Sequence, residues 1–184
     1  MEITRAVIEF GTQAVRHYRD KPAIENETRI PEKCLSLFVA SHFISQRHWD
    51  AKLEVSYPEM LKQLGITGPE VAPVFGGQRA DIAVFQDAKP VAIVELKIID
   101  EGRKFDGVTE DWGKIQRLRQ LVSSRSHVSL DGYVGALVCD TTKLAEQTIA
   151  GLELALGGVT VERGERIAAR DVGWGWLFVG AKLI

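Results

Sequence analysis

Three charged residues in an otherwise apolar stretch are placed to do chemistry: Asp81, Glu95 and Lys97. They belong to Arg79-Ala80-Asp81-Ile82-Ala83-Val84-Phe85 and to Val91-Ala92-Ile93-Val94-Glu95-Leu96-Lys97, with Gln86 to Pro90 between. Val84, Phe85, Val91, Ile93 and Val94 favour strands, and Asp87 and Pro90 punctuate a turn. A five-residue turn over Gln86–Pro90 predicts an antiparallel hairpin with Phe85 facing Val91, Asp81 facing Glu95 and Arg79 facing Lys97. Directly opposed residues share a face with Cβ atoms about 5 Å apart. Lys97, two residues beyond Glu95, points the same way. Two carboxylates held this close repel, so either one keeps a proton or a cation lies between them. Mg²⁺ suits such a pair, because it takes one or two carboxylates together with waters and substrate phosphate, and Mn²⁺ would substitute for it. Lys97 would then orient a water or stabilise charge on a phosphoryl transition state. The competing reading is a structural ion cluster, since most charges at a strand end only solvate an edge.

The elements needed to hold these residues can be read around them. The hairpin is apolar on both faces: Ala83, Phe85, Val91 and Ile93 on one, and Ile82, Val84, Ala92, Val94, Leu96 and Ile98 on the other. Such strands are covered from both sides. Ile3, Val7, Phe10, Ala14 and Tyr18 mark one face of a first helix over residues 3–18. A second helix starts near Pro31, with Leu35, Phe38, Val39, His42, Phe43 and Gln46 along one stripe and Glu32 on its extension. Leu53–Tyr57 alternates as a strand, and a short helix Glu59–Leu64 precedes a loop ending at Gly76-Gly77. Ile98–Gly107 reads as a charged loop and Asp111–Val122 as a helix. Tyr133–Cys139 reads as an apolar strand, followed by a helix capped by Thr141 or Thr142 and ending near Leu156. Val159–Val161 and Trp174–Val179 read as late strands. Helices and strands in this order predict an α/β or α+β fold: a central mixed sheet flanked by helices on both faces.

The chain of 184 residues is long enough for one domain with a real core. A net charge of −2 supplies no global basic signature, so contact with nucleic acid must come from a local patch. Cys34 and Cys139 stand far apart in apolar runs without metal-ligand spacing, which predicts buried thiols in a reducing compartment. No apolar run reaches the roughly 18–20 residues of a membrane span and the N-terminus lacks a secretory pattern, so a cytoplasmic protein is expected.

Asp81, thirteen residues, then Glu95-Leu96-Lys97 resembles the motif of the PD-(D/E)XK nuclease superfamily, the restriction-endonuclease-like proteins. The segments around it are similar to those at the N-termini of type I restriction subunits. The order of predicted elements over about residues 31–156 follows the superfamily core, leaving the first helix and the strands of 159–184 outside it. The resemblance implies a Mg²⁺-dependent DNA endonuclease with Asp81 and Glu95 as metal ligands, the Leu96 carbonyl as a third and Lys97 as the catalytic lysine. It further implies a helix glutamate before the core as an additional metal ligand, for which Glu32 is the best placed and Glu27 the next. A glutamine on the following helix would match Gln116, although the tyrosine that often accompanies it is absent. Ala80 stands where the motif has proline.

Arg103, Lys104, Lys114, Arg117, Arg119 and Arg125 outnumber their acidic neighbours and could track a phosphate backbone, with Lys114 and Arg117 nearest to Gln116. A solvated helix face explains them equally well. Trp174-Gly175-Trp176 suits core packing better than base stacking, and the four histidines have no ligand spacing. The expected partner is therefore DNA. A nuclease of this size that cuts both strands is expected to act as a homodimer. The alternative is a nuclease-like module that binds nucleic acid or a protein without cutting.

Overall fold

The computed structural model describes residues 2–20, 30–69, 71–100, 105–168 and 174–183. Among them it is an α+β fold with one six-stranded mixed sheet in the order β1-β2-β3-β4-β6-β5. The strands are β1 (Asp50–Ser56), β2 (Arg79–Gln86), β3 (Lys89–Asp100), β4 (Asp131–Thr141), β5 (Glu162–Ala168) and β6 (Trp174–Leu183). Only β3 and β4 run parallel, and the connection between them is a helix, as a parallel pair requires.

Two helical layers cover the sheet. Helices α1 (Ile3–Arg19) and α2 (Glu32–Ser45) pack on one face through Val7, Phe10, Leu35, Val39 and Phe43, against Ile82, Val84, Val94 and Leu96. The other face carries α3 (Tyr57–Gln63), α4 (Val71–Phe75), α5 (Asp106–Arg125) and α6 (Thr142–Ala155), which pack against Ala83, Phe85, Ile93, Val134 and Val138. The alternation of β2 and β3 thus feeds two separate cores, as strands buried on both sides must.

The hairpin differs from its predicted turn. Asp87 and Ala88 alone make the reversal, with φ of 50° and 62°, so that Gln86 pairs with Lys89 and Phe85 with Pro90. Positive φ at both central residues is what a two-residue hairpin demands, because its twist then matches that of the strands. The register shifts between Val84 and Phe85, leaving Val91 as the extra residue of a bulge; it packs toward α1 and α2 rather than on the face of Ala83. The bulge cancels the shorter turn, so Ile82 faces Val94 and Val84 faces Ala92, the predicted register at the end that matters.

Other expectations shift at their edges. Tyr57 opens α3 instead of closing β1, because the Ser56 side chain accepts a hydrogen bond from the Glu59 N–H and caps a helix with Pro58 in its first turn. Helix α5 starts at Asp106, several residues before the predicted start, and β3 continues to Asp100 where a loop was expected. Residues 159–161 are not a strand; β5 follows them in the polar segment Glu-Arg-Gly-Glu-Arg-Ile-Ala. Thr141 is the cap of α6, its hydroxyl accepting from the Leu144 N–H.

Candidate active site

The paired ladder between β2 and β3 ends at Ile82 and Val94, while β3 continues alongside β4 as far as Asp100 and Cys139. Beyond the Ile82–Val94 pair, side chains take over from the backbone between β2 and β3. Asp81 Oδ2 accepts a hydrogen bond of 2.8 Å from the Leu96 N–H. Glu95 Oε2 in turn accepts from the Asp81 N–H at 3.3 Å. Each carboxylate satisfies a backbone donor on the other's strand, which holds both acids side by side where the strands part. Glu54 lies between the pairs Leu53–Ile82 and Val55–Ala80 and adopts φ of 54°, so the edge strand is strained directly across from Asp81.

Tyr57 completes the acid pair. Its hydroxyl donates to Glu95 Oε1 at 2.5 Å. Burial, then the charge of Glu95, holds that hydroxyl far above its usual pKa, so it stays a donor. Glu95 is 3% exposed, and burial followed by the neighbouring Asp81 pushes its pKa up to about 8. Burial also raises Asp81, against the hydrogen bond from the Leu96 N–H and the charge of Lys97, which pull it down. In the metal-free protein the pair therefore keeps a proton near neutral pH, one of the two remedies for adjacent buried carboxylates.

Lys97 is reached from both helical layers. Its ammonium lies 2.9 Å from Asp111 Oδ2 on α5 and donates to Glu32 Oε1 at the start of α2, 3.4 Å away. Burial alone would lower its pKa, but Asp111 and then Glu32 outweigh that and raise it. Burial raises Glu32 despite the attraction of Lys97. Gly107 of helix α5 faces the lysine, with 3.9 Å from a Cβ position to Lys97 Cε, an ordinary van der Waals distance.

Comparison with protein-family models, with curated proteins and with solved structures finds no match.

The residues singled out in the sequence fall into two groups. Asp81, Glu95, Lys97 and Glu32 converge at one place. Lys114 reaches its margin by pairing with Asp111 at 2.7 Å and with Glu110 at 3.2 Å. Gln116 and Arg117 are exposed on α5; with 3.6 residues per turn they lie about 140° and 120° round the helix from Asp111, on either side. Arg119 is tied to the Leu130 and Leu183 carbonyls and so braces strand ends rather than facing a ligand. Glu27, Arg103 and Lys104 lie outside the described residues.

Sequence reasoning missed Tyr57 and Asp111. The alternation of Leu53–Tyr57 places Tyr57 at the end of a strand. Asp111 carried a signal, for it falls on the stripe of Ile115, Leu118 and Val122 that faces the core, and it is 5% exposed. A charge on a buried helical stripe needs partners, and two lysines supply them.

Among the described residues no three side chains of His, Cys, Asp and Glu come together as a ligand set of their own. The chain offers two carboxylates instead, Asp81 and Glu95. That donor set fits Mg²⁺, which keeps several waters and takes the rest of its oxygen ligands from substrate.

Proposed function

We propose that the chain is a Mg²⁺-dependent nuclease that hydrolyses phosphodiester bonds of DNA, a member of the PD-(D/E)XK superfamily that its motif resembles. The observation that carries this reading is the crosswise bonding of Asp81 and Glu95 beside Lys97: a costly acid pair, Glu95 buried and Asp81 half-buried, next to an ordered ammonium, at the mouth of two central strands. A purely structural cluster has no need of these two adjacent carboxylates, since the Lys97 ammonium already has Asp111 and Glu32 as partners and each further acid adds a desolvation cost. DNA as the polymer follows from the likeness to type I restriction subunits.

Asp81 and Glu95 would hold the cation, with Tyr57 fixing the orientation of Glu95, as partners behind metal-binding carboxylates do. When bound, the cation would neutralise the phosphodiester and lower the pKa of a coordinated water. Lys97 does its part as a charged donor, directed at the attacking water or at a non-bridging phosphoryl oxygen, because two neighbouring carboxylates keep it an ammonium. Glu32, in contact with the same ammonium, orients it and stands ready to accept a hydrogen bond from water.

Incubation of supercoiled plasmid with Mg²⁺ or Mn²⁺ tests the reading. The wild type is expected to nick or linearise it, and Asp81→Ala and Lys97→Ala to lose about 10²-fold or more in rate. Cutting that survives both substitutions overturns the proposal. Binding of DNA without metal-dependent cutting would favour a nuclease-like module that does no chemistry. Parallel incubations with RNA of matched length read the choice of polymer.

A further inference from the structure

We infer that Asp111 is a positioning residue for the proposed cleavage: it fixes the Lys97 ammonium against α5, and Lys114 holds Asp111 in place from the other side. The inference rests on the nuclease reading for its catalytic consequence and on geometry alone for the contact.

Asp111 is nearly buried, and its two carboxylate oxygens are divided between two cations. Oδ2 lies 2.9 Å from Lys97 Nζ and Oδ1 lies 2.7 Å from Lys114 Nζ. With both oxygens engaged by ammonium groups, Asp111 has little capacity left for a metal ion, which separates it in role from Asp81 and Glu95. An ammonium has three N–H donors. Glu32 accepts one of the three on Lys97, and Asp111 Oδ2 holds the ammonium as an ion partner at 2.9 Å without an aligned N–H, which leaves donor capacity for a water or a phosphoryl oxygen. A four-carbon side chain carries much rotamer freedom, and the buried carboxylate of Asp111, with Glu32 on the other side, restricts it before substrate arrives. Helix α5 is itself fixed over this point: Gly132 on β4 allows Ile115 to lie against the strand where a Cβ would overlap it. The carboxylate at Asp111, one turn earlier on the same stripe, is therefore set by packing rather than by a loop.

Three variants separate positioning from support of the fold. Asp111→Asn keeps the shape without the charge, Asp111→Glu keeps the charge on a longer arm, and Lys114→Met removes the outer cation. Displacing a catalytic group by about 1 Å costs on the order of 100-fold, so Asp111→Asn and Asp111→Glu are both expected to lose about that much in kcat. Their KM for DNA and their Mn²⁺ affinity should stay within about twofold of the wild type by that reasoning. Lys114→Met should lose less. A role in folding alone would let Glu, with the same charge, restore kcat together with Tm.

The contact is read without activity in protein carrying ¹⁵N-labelled lysine. The ammonium resonance of Lys97, assigned by its absence in Lys97→Arg, is expected in the metal-free wild type and lost to solvent exchange in Asp111→Asn. An unchanged Lys97 resonance in Asp111→Asn overturns the inference, as does full kcat in Asp111→Glu, or a fall in kcat that follows Mn²⁺ affinity. If the wild type does not cut DNA at all, the nuclease reading fails by itself, and the resonance still decides whether Asp111 holds Lys97.

Discussion

Glu95 is nearly buried beside a second carboxylate, so its ionisation and the stability of the fold form one equilibrium. Its pKa is about 8 in the folded, metal-free protein, against an ordinary value of 4.5. Between those two values the folded state keeps a proton that the unfolded chain has released. Stability from this group is therefore full below about 4.5 and is lost as pH rises toward 8. Glu95→Gln, neutral at every pH, removes this dependence. Asp81 and Glu32, both raised by burial, slope the same way and remain in the variant. In EDTA, the Tm of the wild type should fall more between pH 5 and pH 8 than that of Glu95→Gln, and the variant should be the more stable at pH 8. Equal slopes in the two proteins would sink this account. At this scale the sequence was informative where chemistry is local. Asp81, Glu95 and Lys97 could be placed because one hairpin carries all three. Tyr57 and Asp111 come from α3 and α5, and only tertiary packing brings them to Glu95 and Lys97.

The elements were legible in order and less so in outline. The observed turn is shorter than its sequence suggests because Asp87-Ala88 has no glycine, while Pro90 is a strong punctuation mark. Tertiary pairing nevertheless imposes positive φ on both residues, and a bulge at Val91 restores the register. Strand β5 was overlooked because it is an edge strand whose residues are mostly exposed and polar, and pairing with β6 rather than its own composition makes it a strand. The hairpin offers a direct test of this conflict between local preference and fold. Alanine in the left-handed region costs roughly 1–2 kcal/mol that glycine does not, partly offset by glycine's greater freedom in the unfolded chain. Ala88→Gly should raise stability by about 1 kcal/mol, or roughly 2–4 °C in Tm for a domain of this size. A lower Tm in thermal denaturation would mean that the turn is not the two-residue reversal described.

Across the whole molecule, two cores pressed on opposite faces of one sheet leave a narrow region where β2 parts from β3. The acid pair, the lysine and both helical layers meet there. Composition could announce the layers, since β2 and β3 are apolar on both faces, but not which of the cations near α5 are spent on other contacts. Two of the cations counted there are engaged, Lys114 with Asp111 and Glu110 and Arg119 with backbone carbonyls. Among the described residues no helix is long and apolar enough to cross a membrane. A cation bound at the acid pair should act on the entire fold, because the pair joins two central strands and the unfolded chain holds no such site. At about 100 times its Kd, a ligand specific for the folded state contributes about 2.7 kcal/mol, which for this size corresponds to a rise in Tm of roughly 5–10 °C. Mn²⁺ should produce that rise at pH 8 and a smaller one at pH 6, where it must first displace the proton that Glu95 retains. Asp81→Asn and Glu95→Gln should abolish the rise, whereas Lys97→Met, which removes a cation from beside the pair, should leave it intact or enlarge it. Differential scanning calorimetry of the four proteins, each with Mn²⁺ and with EDTA, measures all of this. A shift that persists in Asp81→Asn and Glu95→Gln would place the metal elsewhere, and no shift in the wild type would leave the acid pair to its proton.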